Sequence, residues 1–335
     1  MRIGIIGSGS WATALAKILT DNGNTINWWI RNTDTIELIK RKKHNPHYLS
    51  AVYFDPSQLL LSNDIKEVVN KSDILVIAVP SAFVLAALSA LPKNAFDGKQ
   101  IVSAIKGILP DTNELFNEYL LKEYNLPIEN YFSVLGPCHA EEVAAEKLSY
   151  LTFSGVNESD AYKIARYFQT EYLNTVVNHD VMGVQYAAVL KNIYALGAGI
   201  AHGLDYGDNF LSVYIANSAN EMTTFLKCLL PANTVENPTI NYSASVYLGD
   251  LLVTCYSLYS RNRTFGNMIG KGYSVKAAQL ELNMVAEGYN ASKCIIKTNE
   301  IIQAEIPIAL TVFQILWEQL PASEGFKKIE KFLTR

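Results

Sequence analysis

The sequence predicts an α/β N-terminal domain with a mostly parallel sheet, followed by an all-α C-terminal domain. Over the first half, short β-branched runs alternate with helical patterns, as in strands joined by helical crossovers. Beyond Asn178–Asp180 the apolar spacing is helical almost throughout, and we find no convincing strand pattern. A chain of 335 residues is also long enough for two domains of ~150 residues each. We therefore expect domains at 1–180 and 181–335.

The predicted strands are short apolar and β-branched runs that end at turn residues. The clearest is DILVIAVP at 73–80, which Pro80 ends. A polar, turn-rich stretch lies at Arg41–Ser50, and the polar segment Leu230–Ser245, with two prolines, predicts a surface loop. The predicted strands are Arg2–Ile6, Thr25–Ile30, 73–80, Gln100–Lys106, Tyr131–Leu135 and Tyr150–Ser154. The predicted helices are Trp11–Asp21, about 81–91, 113–124, 139–147 and 158–169, and a long helix from Val181 to His202.

Composition and charge narrow the functional classes. Hydrophobic residues make up 49% of the chain, so burial can offset the entropy lost on folding, and intrinsic disorder is excluded. Lys and Arg total 28 against 32 Asp and Glu, which gives a net charge of −4. This balance argues against general nucleic-acid binding, because such binding relies on basic surface. An ordinary soluble α/β protein remains.

The sequence predicts no membrane span, secretion signal, disulfide or metal site. The apolar run Tyr186–Ala201 is shorter than the ~20 residues that span a bilayer, and it contains Lys191 and Asn192. Glycines interrupt the apolar start MRIGIIG, unlike the core of a signal peptide. The four cysteines form no C-x-x-C pair, and the proline within HNPH at 44–47 favours a turn over a metal site. We expect a cytoplasmic protein with reduced thiols.

The motif GSGSWA at 7–12 lies between the first predicted strand and the first predicted helix, the context that a dinucleotide-binding turn requires. Gly7 would permit the tight turn and Gly9 the close approach of a pyrophosphate, which the helix N-terminus favours. Ser10 and Trp11 would lie on the turn, where they can touch phosphate and the nicotinamide ribose. The pattern predicts a Rossmann-like NAD(P)-binding domain. A glycine turn without a ligand is the alternative.

Arg31 stands at the end of the second predicted strand, where NAD-binding folds usually carry an acidic residue for the adenosine ribose. A guanidinium group there relieves repulsion against a 2′-phosphate and can bind it through two hydrogen bonds. This residue favours NADPH without excluding NADH. A solvated loop arginine is the alternative interpretation.

Several polar residues could bind or protonate an anionic substrate. Lys106 lies at the end of one predicted strand and the turn at Gly136 follows another, and the carboxyl ends of both strands would face the ligand crevice. Lys191 interrupts the apolar run AAVLKNIYALGAGI, and burial would lower its pKa towards the range useful for proton transfer. Asp250 could pair with this lysine, and Ser260-Arg261-Asn262 could bind a phosphate. Each feature also has a purely structural interpretation, such as a lysine that reaches solvent or a charged helix surface.

Taken in order, these motifs resemble the bacterial type of the NAD(P)-dependent glycerol-3-phosphate dehydrogenase family, over nearly the whole chain. The matching motifs are GSGSWATALA at 7–16, SAIKG at 103–107, GPCHAEEVA at 136–144, LKNIYALGAGI at 190–200, GLDYGDN at 203–209, GDLLVTC at 249–255, SRNRTFG at 260–266 and AEGY at 286–289. The chain differs from the family at Cys138-His139, which replaces the usual Ser-Phe, and at Asn32, which replaces a basic residue. It also lacks the family's usual arginine-glycine and Gly-Leu-rich patterns over 215–248.

The resemblance implies reversible reduction of dihydroxyacetone phosphate to sn-glycerol 3-phosphate for glycerophospholipid synthesis, with NADP, NAD or both as cofactor. It implies Lys191 as the proton donor and acceptor. The expected substrate-binding residues are Lys106, Gly136, Cys138, Lys191, Asp250, Ser260, Arg261 and Asn262. The expected cofactor-binding residues are Gly7, Gly9, Ser10, Trp11, Arg31, Lys106, Ala140, Arg261, Val285 and Glu287. No metal, nucleic acid or membrane span is expected, and a homodimer is allowed.

Two other functions fit parts of the sequence. A ketopantoate or hydroxyacid reductase would share the architecture, but it would need a carboxylate-binding cluster. The presence of Ser260-Arg261-Asn262 together with Asp250 argues against this alternative. A non-catalytic dinucleotide-sensing protein could lose the lysine, yet Lys106, Lys191 and Asp250 are all present.

Overall fold

The computed structural model describes residues 1–229, 240–282 and 286–333. The chain divides into two compact units. The first comprises Met1–Ile105 and Glu114–Val181, and the second comprises Lys106–Asn113 and Met182–Arg335. The second unit is therefore discontinuous in sequence, because the segment 106–113 belongs to it although both flanking segments belong to the first unit.

The first unit is built on an eight-stranded sheet. The strands are β1 (Ile3–Ile6), β2 (Ile26–Trp29), β3 (Leu59–Ser62), β4 (Ile74–Ile77), β5 (Gln100–Ser103), β6 (Tyr131–Leu135), β7 (Ser149–Ser154) and β8 (Leu173–Asn178). Their order across the sheet is β3-β2-β1-β4-β5-β6-β7-β8. Every neighbouring pair is parallel except β6 and β7, which run antiparallel. The prediction of a mostly parallel sheet is confirmed.

Seven helices connect these strands among the described residues of the first unit. They are α1 (Ser10–Asp21), α2 (Thr33–Lys42), α3 (Ile65–Asn70), α4 (Ser81–Leu88), α5 (Phe116–Tyr124), α6 (Ala140–Ala144) and α7 (Glu158–Arg166). All residues of β1, β2, β4 and β6 are buried, as expected of parallel strands covered on both faces. The chain leaves β1 on one side to form β2 and returns to form β4 on the other. Such a switch point is where doubly wound sheets bind ligands.

Two strands and two α-helices of the first unit, β3, β8, α2 and α3, are not predicted by the sequence pattern. Strands β3 (LLLS) and β8 (LNTVVN) are the two edges of the sheet and are only partly buried. Neither run shows a regular alternation of apolar and polar residues, so the pattern alone does not identify them as strands. The predicted strand at 73–80 is too long. It ends at Ile77, because Pro80 serves as the N-cap of α4.

The second unit is helical, and no strand occurs in it within 106–113, 182–229, 240–282 or 286–333. This confirms the predicted helical C-terminal region. Its helices are α8 (Val181–Gly203), α9 (Asp208–Cys228), α10 (Asp250–Tyr256), α11 (Arg261–Gly270), α12 (Val275–Leu282), α13 (Glu287–Ile302), α14 (Pro307–Trp317) and α15 (Ala322–Leu333). A π-helical turn at Ser245–Gly249 leads into α10. Most of the loop predicted at 230–245 lies outside the described residues.

A buried carboxylate joins three helices of the second unit. Glu221 on α9 accepts hydrogen bonds from the N–H groups of Ile308 (2.8 Å) and Ala309 (2.9 Å), which begin α14. The hydroxyl of Tyr194 on α8 donates to the same carboxylate at 3.2 Å. Burial raises the pKa of Glu221 to about 7, although these hydrogen bonds oppose the shift. The carboxylate therefore caps α14 and ties it to α8 and α9.

Other general properties follow from the described part of the chain. No helix there combines the length and apolar character that a membrane span requires. No cluster of three or more His, Cys, Asp or Glu side chains in these residues could hold a metal ion. All four cysteines are free thiols, and only Cys228 is exposed.

Candidate active site

The chain turns sharply at Gly7, between β1 and α1. Gly7 has a φ of 126°, and a Cβ there would collide with the carbonyl oxygen of Ala78, so only glycine fits. Gly9 is the N-cap of α1 and has no side chain to bond the first amides of that helix. A Cβ on Gly9 would meet nothing within 4 Å. Open space at an uncapped helix N-terminus fits a pyrophosphate group, and these residues suit a dinucleotide.

Helix α1 begins one residue earlier than predicted. Ser10 and Trp11 are its first two residues instead of part of the turn. Ser10 and Ala12 are buried, and Trp11 is partly buried. The small side chain of Ala12 allows the first turn of the helix to pack closely in the core.

Arg31 follows β2 and is exposed. The next residue, Asn32, is the N-cap of α2, and its side-chain oxygen accepts hydrogen bonds from the N–H groups of Asp34 (2.7 Å) and Thr35 (3.2 Å). Asn32 therefore has a structural role, as the cap of α2. Arg31 carries the positive charge at this end of β2.

The turn after β6 contains the other predicted residues of the first unit. Gly136 has a φ of 139°, and a Cβ there would lie 2.9 Å from the carbonyl oxygen of Tyr150. Cys138 is buried, and His139 is the N-cap of α6, which begins at Ala140. The backbone here requires glycine at 136, independently of any ligand.

A buried ion pair lies in the second unit. Lys191, on the almost wholly buried helix α8, pairs with Asp250 at the start of α10, and their side chains are 4% and 2% exposed. Burial lowers the pKa of Lys191 to about 8, although the charge of Asp250 opposes the shift. The positive charge of Lys106 lowers this pKa further, and Glu287 raises it. An amine with this pKa can donate or accept a proton near neutral pH.

Two buried asparagines connect the lysine helix to three other segments. The Nδ2 of Asn192 donates to the backbone carbonyl of Lys106 at 3.1 Å. The Nδ2 of Asn262 donates to Oδ1 of Asn192 at 3.0 Å, and the N–H of Gly288 donates to Oδ1 of Asn262 at 2.9 Å. These bonds fix Lys106 and the start of α13 relative to α8. Asn192 is not among the predicted site residues, although it interrupts the same apolar run as Lys191.

The predicted phosphate-binding residues form the N-terminus of α11. Ser260 is the N-cap, and its Oγ accepts a hydrogen bond from the N–H of Arg263 at 3.3 Å. Arg261 and Asn262 are the first two helical residues. The helix N-terminus adds partial positive charge to that of Arg261. Val285 lies outside the described residues.

Glycines bring α8 and α11 into backbone contact. A Cβ on Gly199 would collide with the carbonyl oxygen of Arg263, and one on Gly266 would collide with that of Leu196. Gly203 and Gly270 face each other in the same way, one turn further along. Because no side chain separates the helices, Lys191 and the N-terminus of α11 are held in one rigid arrangement.

The predicted residues thus form two groups. Lys106, Lys191, Asp250 and Glu287 interact through their charges in the second unit, and Asn262 joins them through Asn192. Ser260 and Arg261 precede Asn262 at the start of α11. The first unit contains the others, which are Gly7, Gly9, Ser10, Trp11, Arg31, Gly136, Cys138 and Ala140.

Comparison with known proteins gives consistent matches over the whole chain. Residues 2–161 and 180–327 match the models for the N-terminus and C-terminus of NAD-dependent glycerol-3-phosphate dehydrogenase. A glycerol-3-phosphate dehydrogenase of Thermoanaerobacter sp. (strain X514), designated NAD(P)+, is 35% identical over 100% of this chain and 97% of its own length. The crystal structure of glycerol-3-phosphate dehydrogenase from Coxiella burnetii has a TM-score of 0.88 and 26% identity and covers 98% of both chains.

A more distant structure shares only the fold. A ketopantoate reductase of Ralstonia eutropha JMP134 has a TM-score of 0.57 and 14% identity, and covers 97% of this chain and 99% of its own.

Proposed function

Because the chain belongs to the NAD-dependent glycerol-3-phosphate dehydrogenase family, we propose that it reduces dihydroxyacetone phosphate reversibly to sn-glycerol 3-phosphate, as a step towards glycerophospholipids. It is an NAD(P)-dependent oxidoreductase. The buried Lys191–Asp250 pair is the observation that carries the proposal.

Ketone reduction leaves negative charge on the C2 oxygen, which must receive a proton. A nicotinamide cofactor held at the turn of Gly7 and Gly9 would supply the hydride for C2. Lys191 then donates a proton from Nζ to the C2 oxygen and becomes neutral. Its lowered pKa of about 8 makes this transfer favourable while leaving most of the amine protonated at neutral pH. Asp250 holds the ammonium group in position, and the same amine accepts the proton in the oxidative direction.

The phosphate of the substrate requires a positive site at a fixed distance from Lys191. The N-terminus of α11, with Arg261, supports this role, and the backbone contact between α8 and α11 keeps the distance constant. Lys106 adds a second positive charge, and Asn192 fixes its backbone. Binding energy from the phosphate can then orient the carbonyl group against the proton donor. We also propose contacts between the substrate and Gly136, Cys138, Ser260 and Asn262.

For the cofactor, the turn at Gly7 and Gly9 and the first amides of α1 suit the pyrophosphate, and Arg31 suits a 2′-phosphate. Ser10, Trp11, Ala140, Arg261, Val285 and Glu287 complete the proposed cofactor-binding set. We therefore propose that residues 1–180 act as the cofactor-binding domain and that 181–335, together with Lys106, bind substrate.

A steady-state assay tests the function directly. The purified protein should oxidise NADPH or NADH when dihydroxyacetone phosphate is added, followed by the absorbance of the reduced nicotinamide. Ketopantoate and pyruvate serve as controls for the other reductase classes and should give no turnover. Activity on either control but not on dihydroxyacetone phosphate would contradict the proposal, and cofactor binding without turnover would favour a sensor.

We further propose that the enzyme acts in the cytoplasm, does not bind nucleic acid and can form a homodimer. Its net charge of −4 supports the second point. Light scattering of the purified protein distinguishes a monomer from a dimer, and a shift assay with duplex DNA tests nucleic-acid binding.

A further inference from the structure

Three side chains hold consecutive carbonyl groups of the dinucleotide turn. The indole Nε1 of Trp28 donates to the carbonyl of Gly7 at 2.7 Å. The Nδ2 of Asn45 donates to the carbonyl of Ser8 at 3.1 Å, and Oγ1 of Thr13 donates to the carbonyl of Gly9 at 3.0 Å. Trp28 and Thr13 belong to β2 and α1, whereas Asn45 comes from the HNPH segment at 44–47.

The side chain of Asn45 makes two hydrogen bonds in addition to the one to the carbonyl of Ser8. It is fully buried, and its second Nδ2 hydrogen bond goes to Oγ1 of Thr13 at 2.8 Å. Its Oδ1 accepts the N–H of His47 at 3.1 Å, which forms the turn around the intervening proline. Both ends of the amide are therefore used, and Asn45 links the carbonyls of Ser8 and Gly9 into one network through Thr13.

The orientation of these carbonyls determines where the amide groups of the turn point. In a planar trans peptide, the N–H of one residue points opposite to the carbonyl of the residue before it. Holding the carbonyls of Ser8 and Gly9 therefore fixes the N–H directions of Gly9 and Ser10, at the start of α1. These amides belong to the group that a pyrophosphate would meet at the helix N-terminus.

We propose that Asn45 is a positioning residue for the cofactor, which sets the peptide planes of the Gly7–Ser10 turn for pyrophosphate before the cofactor binds. The inference rests on the proposed function only in taking a nicotinamide dinucleotide as the ligand. Without Asn45, the carbonyl of Ser8 loses this donor and the turn can adopt other orientations. Binding must then reorder the turn, which weakens affinity.

The test is the dissociation constant for NADPH, measured by calorimetry without substrate. Asn45→Ala should raise it by on the order of tenfold, the effect expected when a buried group loses its hydrogen bonds. Asn27→Ala is the matched control. Asn27 is also buried in the first unit and donates two hydrogen bonds, to the carbonyl and Oγ of neighbouring residues Lys71 and Ser72, at 3.2 Å each. Both variants should lower the melting temperature, but only Asn45→Ala should weaken NADPH binding.

Thr13→Val supplies a second variant in case Asn45→Ala does not fold. Valine keeps the branched shape but removes the hydroxyl, so NADPH binding should weaken here too. In the double variant the two effects should be less than additive, because the two side chains share one network. In steady-state kinetics of Asn45→Ala and Thr13→Val, KM for NADPH should rise. In both variants, kcat at saturating NADPH and KM for dihydroxyacetone phosphate should stay close to the wild-type values.

Wild-type NADPH affinity in Asn45→Ala or, if that variant does not fold, in Thr13→Val would overturn the inference. Equal weakening in Asn45→Ala and Asn27→Ala would also overturn it, since general loosening of the unit would then explain both. Failure of the proposed function looks different. In that case the wild type would bind NADPH without reducing dihydroxyacetone phosphate, and the comparison of affinities would still decide the role of Asn45.

Discussion

Lys191→Met separates the catalytic role of the buried ion pair from its effect on stability. Methionine preserves length and apolar packing but removes the charge and the transferable proton. Asp250, whose side chain is 2% exposed, would lose its counter-ion, and its Oδ2 has no hydrogen-bond partner among the described residues. Removal of one partner from a buried pair costs about 3–5 kcal/mol of unfolding free energy. We expect a loss of that size in urea denaturation.

A second substitution tests this explanation. In Lys191→Met/Asp250→Asn neither charge remains, and neutral replacements for buried pairs are often close to neutral in stability, so most of the loss should be recovered. Activity should not recover. Both variants should still bind NADPH, because the dinucleotide turn is unchanged, while kcat falls by at least ~10²-fold, the lower range for a lost general acid or base.

The pH dependence of the wild-type enzyme provides an independent measurement. Because reduction needs protonated Lys191, kcat/KM for dihydroxyacetone phosphate should fall as the pH rises through about 8, and the oxidative rate should rise over the same interval. Near-wild-type kcat in Lys191→Met would show that the lysine is structural and refute the mechanism. Equal instability of the single and double variants would refute the account of the ion pair.

Three further substitutions test separate parts of the protein. Arg31→Asp should raise KM for NADPH far more than KM for NADH, because an acidic group repels the 2′-phosphate; equal changes in steady-state assays would exclude Arg31 from cofactor selection. Arg261→Ala should reduce kcat/KM by the equivalent of about 2–5 kcal/mol, and an unchanged value would contradict phosphate binding by Arg261. In the wild type, the unfolding free energy should fall as the pH rises from 4.5 to about 7, because the raised pKa of Glu221 makes the folded state bind more protons than the unfolded state in this range. Glu221→Gln should flatten this fall. An unchanged slope in urea denaturation across this pH range would assign the fall to other groups.

The sequence predicts those parts of the fold whose patterns are local. The apolar run of β4 and the long apolar helix α8 are clear because both are buried on all sides. The edge strands β3 (LLLS) and β8 (LNTVVN) are not clear, because runs this short do not distinguish a strand from a helix. Pairing with a neighbouring strand determines that they are strands. Antiparallel pairing between β6 and β7 also depends on tertiary structure.

The candidate site shows the same division. Lys191 can be found because a charged residue in an apolar helix is unusual, and that argument extends to Asn192. The partners of Asn192 cannot be found in this way, since its bond to Lys106 joins residues 86 apart in sequence and its bond to Asn262 joins residues 70 apart. Asn45 is harder still. Its segment suggests only a turn, and nothing local indicates a bond to the carbonyl of Ser8.

The discontinuity of the second unit limits how this protein can be divided for study. A fragment that starts at Met182 would lack 106–113. It would lose the carbonyl group of Lys106, which accepts a hydrogen bond from Asn192, and the buried side chains of Ile108 and Leu109. The complementary fragment that ends at Val181 would contain 106–113 but lack the rest of the second unit, against which this segment packs. A soluble helical fragment for crystallography or calorimetry therefore needs 106–113 supplied as a fused or added peptide. Chimaeras with related dehydrogenases should exchange 106–113 together with the C-terminal half.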